Sequence, residues 1–236
     1  MWGRSIISRV GKLLSPEART ALINAGIALH MPSRRRFFRR IERLIRTDAI
    51  PCVIAGGYAY DAKRGRITRP HKDVDMLALE EDRDAIIAAF EAAGLRVKAK
   101  RSTRLVVTDR VWCWGDVFLF RDVGGGLAEI EGSDYNKIIM RVPRDVLVRR
   151  QQGRIGDREL PIPCDDYFYC MAPFIANEDD QAFCRGLPHS PSLRLHTRPA
   201  PEHPGYTLYE WGYDPVDQTT GALISEPKPE ASGARG

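Results

Sequence analysis

The sequence predicts an α/β (α+β) fold, a mixed twisted sheet with flanking helices, preceded by a basic helical segment. Three observations carry this expectation. Between residues 52 and 93, short apolar runs that suit buried strands alternate with helix-period segments. Five strand-like runs follow between residues 97 and 142. The first 50 residues hold eleven Lys or Arg against only Glu17, Glu42 and Asp48, on a pattern that reads as helical.

The 236 residues, 43% hydrophobic and 28% charged, suffice for one ordinary domain with a core, or one domain plus appendages. Composition alone names no function. No run approaches the roughly 18 consecutive apolar residues that a membrane span needs, and no apolar signal region follows the N-terminus. Cys52, Cys113, Cys164, Cys170 and Cys184 are scattered, with no C-x-x-C pair and no His at zinc-finger spacing. That pattern points to reduced, mostly buried thiols and a cytoplasmic location.

Residues 2–14 suit a short amphipathic helix, with Trp2, Ile6, Ile7, Val10, Leu13 and Leu14 on its apolar side. Ser15-Pro16-Glu17 reads as the start of a second helix toward Leu29. Pro32-Ser33 opens a third, in which Phe37, Ile41, Leu44 and Ile45 form a core stripe and the five arginines of 34–40 face elsewhere. The run Cys52–Ala55 ending in Gly56-Gly57 suits a strand entering a tight turn, followed by a helix to about Arg64. Asp73–Leu79 reads as a strand, and Asp82–Ala93 as a helix with Ile86, Ile87 and Phe90 inward and Gly94 at its end. Strands are expected at Val97–Lys100, Leu105–Thr108 and Val111–Phe120, the last two joined as a hairpin at Asp109-Arg110. After the turn Gly124-Gly125-Gly126, further strands are expected at Leu127–Ile130 and Lys137–Val142. Arg144–Arg150 reads as a short helix, Glu159–Pro163 as an extended piece and Asp165–Ala172 as a helix start. From about Leu187 prolines recur and apolar periodicity fades. The expected organisation is therefore a basic helical segment over 1–48, a principal domain over 49–186, and a loosely ordered tail over 187–236.

The informative stretch is Gly56-Gly57-Tyr58-Ala59-Tyr60-Asp61, then Thr68-Arg69-Pro70-His71-Lys72-Asp73-Val74-Asp75. Side chains two apart on a strand share a face, so Asp73 and Asp75 point together. Two carboxylates held that close repel one another unless a cation sits between them. Magnesium takes oxygen ligands and is commonly held by one or two carboxylates plus substrate phosphates. Gly56 and Gly57 let backbone N–H groups approach a phosphate, with the helix after them adding its positive end. Arg69, His71 and Lys72 can neutralise phosphate charge. Each piece has a plainer reading: a D-x-D pair as a solvated strand end, Gly-Gly as a turn, His71 as a structural histidine. Their order on one strand–turn–helix–loop–strand frame favours chemistry.

That segment resembles the DNA-polymerase-β-type nucleotidyltransferase superfamily, especially its lincosamide and aminoglycoside nucleotidyltransferase branch. The branch pattern G-G-aromatic-A-x-D, then G-R-x-T-R-P-H-x-D-h-D with h apolar, is matched by Gly56–Asp61 and by Gly65–Asp75. Tyr58 stands where tryptophan is usual. The resemblance is strong over 56–79, thinner to about 165, and silent on the N-terminal 45 residues and the tail. It implies a nucleotidyltransferase fold and transfer of a nucleoside monophosphate from an NTP, with ATP as the expected co-substrate and Mg2+ as the metal. The acceptor would be a hydroxyl of a small, antibiotic-like molecule. It also implies a third carboxylate on a later strand, as metal ligand or general base. Asp116, in an otherwise apolar strand, is the candidate, with Glu129 and Glu131 as the fallback and an Asp116–arginine ion pair as the plain structural reading. Two rivals share these residues. One is the same chemistry on tRNA, RNA or protein, supported by the Arg34–Arg40 cluster; the other is a non-catalytic nucleotide-binding module.

Overall fold

The computed structural model describes residues 31–47, 49–69, 71–109, 113–132 and 137–213. The helices expected over 2–14 and 15–29, the hairpin residue Arg110, and 214–236 of the tail lie outside them. Helix α1 (Met31–Arg46) buries Phe37, Phe38, Ile41 and Ile45 along one stripe. Phe38 joins the expected stripe, and Leu44 is only half-buried. Arg34 departs from its expected outward course: it lies one turn before Phe38, on the packed side, and donates to the His71 carbonyl at 3.1 Å.

Strand β1 (Val53–Ala55) runs straight into helix α2 (Gly56–Arg64), which ends on left-handed Gly65. Strand β2 (Val74–Leu79) and a short turn over Glu80–Asp82 lead to helix α3 (Arg83–Ala92). That helix buries Ile86 and Phe90 and is followed by left-handed Gly94. Strands β3 (Arg96–Arg101), β4 (Arg104–Thr108) and β5 (Trp114–Gly124) come next. They are followed by β6 (Leu127–Glu131), β7 (Ile138–Pro143) and the short helix α4 (Arg144–Val148). Strand β8 (Arg150–Ile155) was not expected; the stretch is polar and pairs with β9 (Arg158–Pro163) across a turn at left-handed Gly156. Helices α5 (Asp165–Met171) and α6 (Glu178–Arg185) precede strands β10 (Leu193–Pro199) and β11 (Thr207–Tyr213).

The chain divides into two compact units. The first takes the described residues up to Asp122 together with Leu147–Pro163. Its mixed sheet has the order β1-β2-β5-β4-β3, antiparallel throughout except that β2 and β5 run parallel. Ile54, Met76, Ile86, Phe90, Leu105 and Leu119 are fully buried there.

The second unit takes Val123–Val146 and the described residues from Cys164 onward, with strand order β6-β7-β11-β10. Residues 193–213, which the prolines suggested as part of a loose tail, therefore supply two paired strands of this sheet. Leu208 is fully buried against Ile139 and Ala200, and that burial offsets the cost of ordering the segment. Arg141 gathers the carboxylates of Glu129, Glu202 and Glu210 at 2.7, 3.0 and 3.4 Å. Among the described residues no helix is long and apolar enough to cross a membrane.

Candidate active site

Strand β2 carries Asp75, and Asp73 lies two residues earlier, just before the strand begins. In the parallel ladder Asp75 stands directly opposite Asp116 of β5. Directly opposed residues share a face, so the three carboxylates converge: one oxygen from each of Asp73, Asp75 and Asp116 lies within 4.8 Å of the others. Asp116 is buried, and the two Asp residues of the β2 segment are half-buried.

Crowding three acids raises the cost of ionising them. Burial, then the neighbouring carboxylates of Asp73 and Asp116, push Asp75 up to about 7 against a partial offset from Arg104 and Lys72. Burial likewise raises Asp73, with Lys72 pulling the other way and Asp116 adding to the rise. Trp114 hydrogen-bonds the Asp73 side chain and belongs to the same rim.

Asp116 is held from the next strand. Arg104 on β4 donates Nε to Oδ1 at 2.9 Å and Nη2 to Oδ2 at 2.6 Å, a two-pronged grip. The antiparallel register sets Val106 opposite Asp116, which leaves Arg104 diagonal to it on the same face. Asp116 thus has the arginine partner of the plain structural reading and also stands in the group of three carboxylates. The fallback pair, Glu129 and Glu131, belongs to the second unit, where Glu129 is bonded to Arg141.

The two glycines are required sterically. Gly56 sits at φ 56°, and a Cβ there would strike the Asp75 carboxylate; on Gly57 it would strike the His71 ring. Their lack of side chains lets the start of α2 close on both residues. Gly57→Ala should therefore displace His71, cost about 1–3 kcal/mol and lower the thermal midpoint by several degrees, as differential scanning calorimetry would record. An unchanged midpoint would contradict the close approach.

His71 is buried. Its Nε2 lies 2.6 Å from Asp61 Oδ2, and its Nδ1 lies 3.3 Å from Arg69 Nη1. A guanidinium only donates, so Nδ1 accepts and Nε2–H points to Asp61. Asp61 Oδ1 also accepts from the Thr68 backbone N–H at 3.1 Å and from its hydroxyl at 2.6 Å. Burial alone would raise Asp61, but the bonds from His71 and Thr68 outweigh it and hold this carboxyl below its ordinary value. Tyr58 packs against His71 with ring centres 4.5 Å apart and stacks on Phe38 of α1 at 4.1 Å. The His71 ring is thus fixed within the fold, whereas Arg69 is exposed. Arg34, Asp61, Arg104 and Trp114 were missed as site residues. Arg104 was legible once the β4–β5 hairpin register is drawn, and Asp61 lay in the quoted motif without a role.

A sequence profile of the aminoglycoside-2''-adenylyltransferase family matches residues 38–186. The chain belongs to this family. It is similar to a 2''-aminoglycoside nucleotidyltransferase of Escherichia coli, at 28% identity over 130 residues, 51% of this chain and 64% of that protein. A Klebsiella pneumoniae 2''-aminoglycoside nucleotidyltransferase matches at 29% identity over the same shares. The chain thus spans a little under two thirds of the curated relatives it matches. Among solved structures, the lincomycin-bound lincosamide antibiotic adenylyltransferase LnuA is similar at 13% identity and TM-score 0.46, covering 65% of this chain and 97% of that one. ANT(2'')-Ia in complex with adenylyl-2''-tobramycin is similar at 22% identity and TM-score 0.41, covering 63% and 83%. The family match spans α2, β2 and β5, and so includes all three converging aspartates.

Proposed function

We propose that the chain transfers a nucleoside monophosphate from a nucleoside triphosphate, ATP by expectation, to a hydroxyl of a small antibiotic-like acceptor, releasing pyrophosphate. The convergence of Asp73, Asp75 and Asp116 carries the reading, and membership in an adenylyltransferase family supports it. An all-oxygen set of mutually repelling carboxylates suits a hard divalent ion. Asp73, Asp75 and Asp116 would hold Mg2+, which when bound offsets the negative charge of the phosphates.

The remaining work falls to the chain itself. Gly56 and Gly57 bring the first turn of α2 to the site, where its unpaired N–H groups can seat phosphate oxygens. Arg69 adds an exposed positive charge beside them, and His71 anchors that loop through Asp61. Arg104 fixes the plane of Asp116, whose remaining lone pairs orient the acceptor hydroxyl or receive its proton.

The test is incubation with labelled NTPs, Mg2+ and a panel of aminoglycosides, lincosamides and tRNA. Labelled nucleotide on a small acceptor is the expected result. Label confined to tRNA, or no transfer to any acceptor, would overturn the reading.

The carboxylate cluster also sets a pH dependence. From about pH 4, the ordinary Asp value, up to about 7, folded Asp75 retains a proton that the unfolded chain has released. Without metal, stability should therefore fall as pH rises through that window. Asp61 acts oppositely and lower down: its contribution is lost as pH falls below the ordinary carboxylate value. Thermal melts in EDTA should decline from pH 5 to 8, and 10 mM Mg2+ at pH 8 should restore several degrees. Identical melting profiles with and without Mg2+ would count against the cluster as a cation site.

A further inference from the structure

Helix α1 carries seven arginines and one acid. The acid, Glu42, is buried and bonded to Arg158 at 3.0 Å, with Arg46 at 3.5 Å. At about 100° per residue, Arg35, Arg36, Arg39, Arg40, Arg43 and Arg46 fall within one arc of about 140°. All six are exposed. Phe37, Phe38, Ile41 and Ile45 occupy the opposite arc and are buried, as Arg34 partly is. Among the described residues, Arg35, Arg36, Arg39, Arg40 and Arg43 form no ion pair.

We propose that this arginine arc is a docking surface for the phosphate backbone of a nucleic acid. Residues four apart stand about 6 Å apart along the axis, so Arg35, Arg39 and Arg43 make one row and Arg36 and Arg40 a second. Evenly stepped charge of one sign matches a repeating polyanion better than a single compact anion. Every position on the arc that is charged is Arg, whose planar fork grips phosphate oxygens two at a time. A bilayer fits poorly, because the apolar face of α1 is already packed and leaves nothing to insert. The surface lies next to the carboxylate site: Arg34, the neighbour of Arg35, lines the same recess as Tyr58, His71, Asp73 and Trp114. The Arg34 guanidinium lies over the Trp114 ring, 5.8 Å from its centroid. This inference goes beyond the transfer reading and does not depend on which acceptor is used.

Fluorescence anisotropy of the full chain with a labelled 20-base-pair DNA duplex and a 20-nucleotide RNA tests it. Six engaged arginines predict about a 10^3-fold loss of duplex affinity between 50 and 200 mM KCl. Arg39→Gln/Arg40→Gln/Arg43→Gln should cut that loss to about 40-fold and weaken binding at 50 mM. Single Arg39→Gln and Arg43→Gln variants should each lower the log–log slope by about one. Small-acceptor transfer should be unchanged in all of them, which separates failure here from failure of the transfer reading. An unaltered salt slope in the variants, absence of nucleic-acid binding, or preferential binding to phosphatidylserine vesicles or polyglutamate would each overturn the proposal.

Discussion

Asp73→Asn should reduce nucleotide transfer by about 10^3-fold or more, equivalent to ~4 kcal/mol of transition-state stabilisation. The amide has nearly the shape of the carboxylate but carries no charge for a divalent ion. The fold should survive, because Asp73 lies just before β2 and is only half-buried. Metal-free stability should stay level or rise, since one of three mutually repelling acids is removed. Transfer assays with Mg2+ and melts in EDTA check both halves. Normal transfer by Asp73→Asn would end the site assignment, and a collapsed fold would make Asp73 structural instead.

Asp61→Ala should have the largest effect on stability, about 3–5 kcal/mol, or a fall of roughly 10 °C in the thermal midpoint. The substitution strips the acceptor from His71 Nε2–H, from the Thr68 N–H and from the Thr68 hydroxyl at once. The His71 donor is left unpaired in a buried setting, at a cost of about 1–3 kcal/mol, whereas the exposed Thr68 donors can turn to water. Asp61→Asn should not fully rescue the loss. Its amide nitrogen would face His71 Nε2–H, and turning the imidazole to the other tautomer would set a proton against Arg69. Denaturant melts of the two variants decide this; a midpoint shift below about 2 °C for the alanine variant would sink the account.

The candidate site is legible in the sequence because its logic is local. Val53–Ala55 ending in glycine, and the alternation that places Asp73 and Asp75 on one side, need only strand periodicity to be read. Asp116 stands out because a carboxylate in an apolar strand asks for a partner, and Arg104 supplies one. The elements that escaped are those whose burial comes from elsewhere. β8 reads as polar because only Gly153 on it is buried, and a Cβ there would meet Ala62 and Ile162. β10 has its leading Leu193 buried and a mostly exposed remainder, so pairing with β11 and not apolar alternation defines it. α6 is an acid-rich octet whose start is set by Asn177 accepting from the Asp180 N–H. Arg34 is the exception within its cluster: grouping it with the outward arginines passes over its spacing, one turn before Phe38, which sets it on the packed side of α1.

The parallel pairing of β2 with β5 has a consequence for how the site comes into being. Asp75 and Asp116 are opposed only after α3, β3 and β4 have been laid down between their strands. A helix can form within its own sequence, but this acidic trio is a long-range product whose assembly waits on a slow, entropically costly closure. The proposed affinity for a divalent ion is accordingly expected to arrive late as the chain refolds. A register slip by one residue between those two strands would send one carboxylate to the far face, leaving secondary structure intact and the centre dismantled.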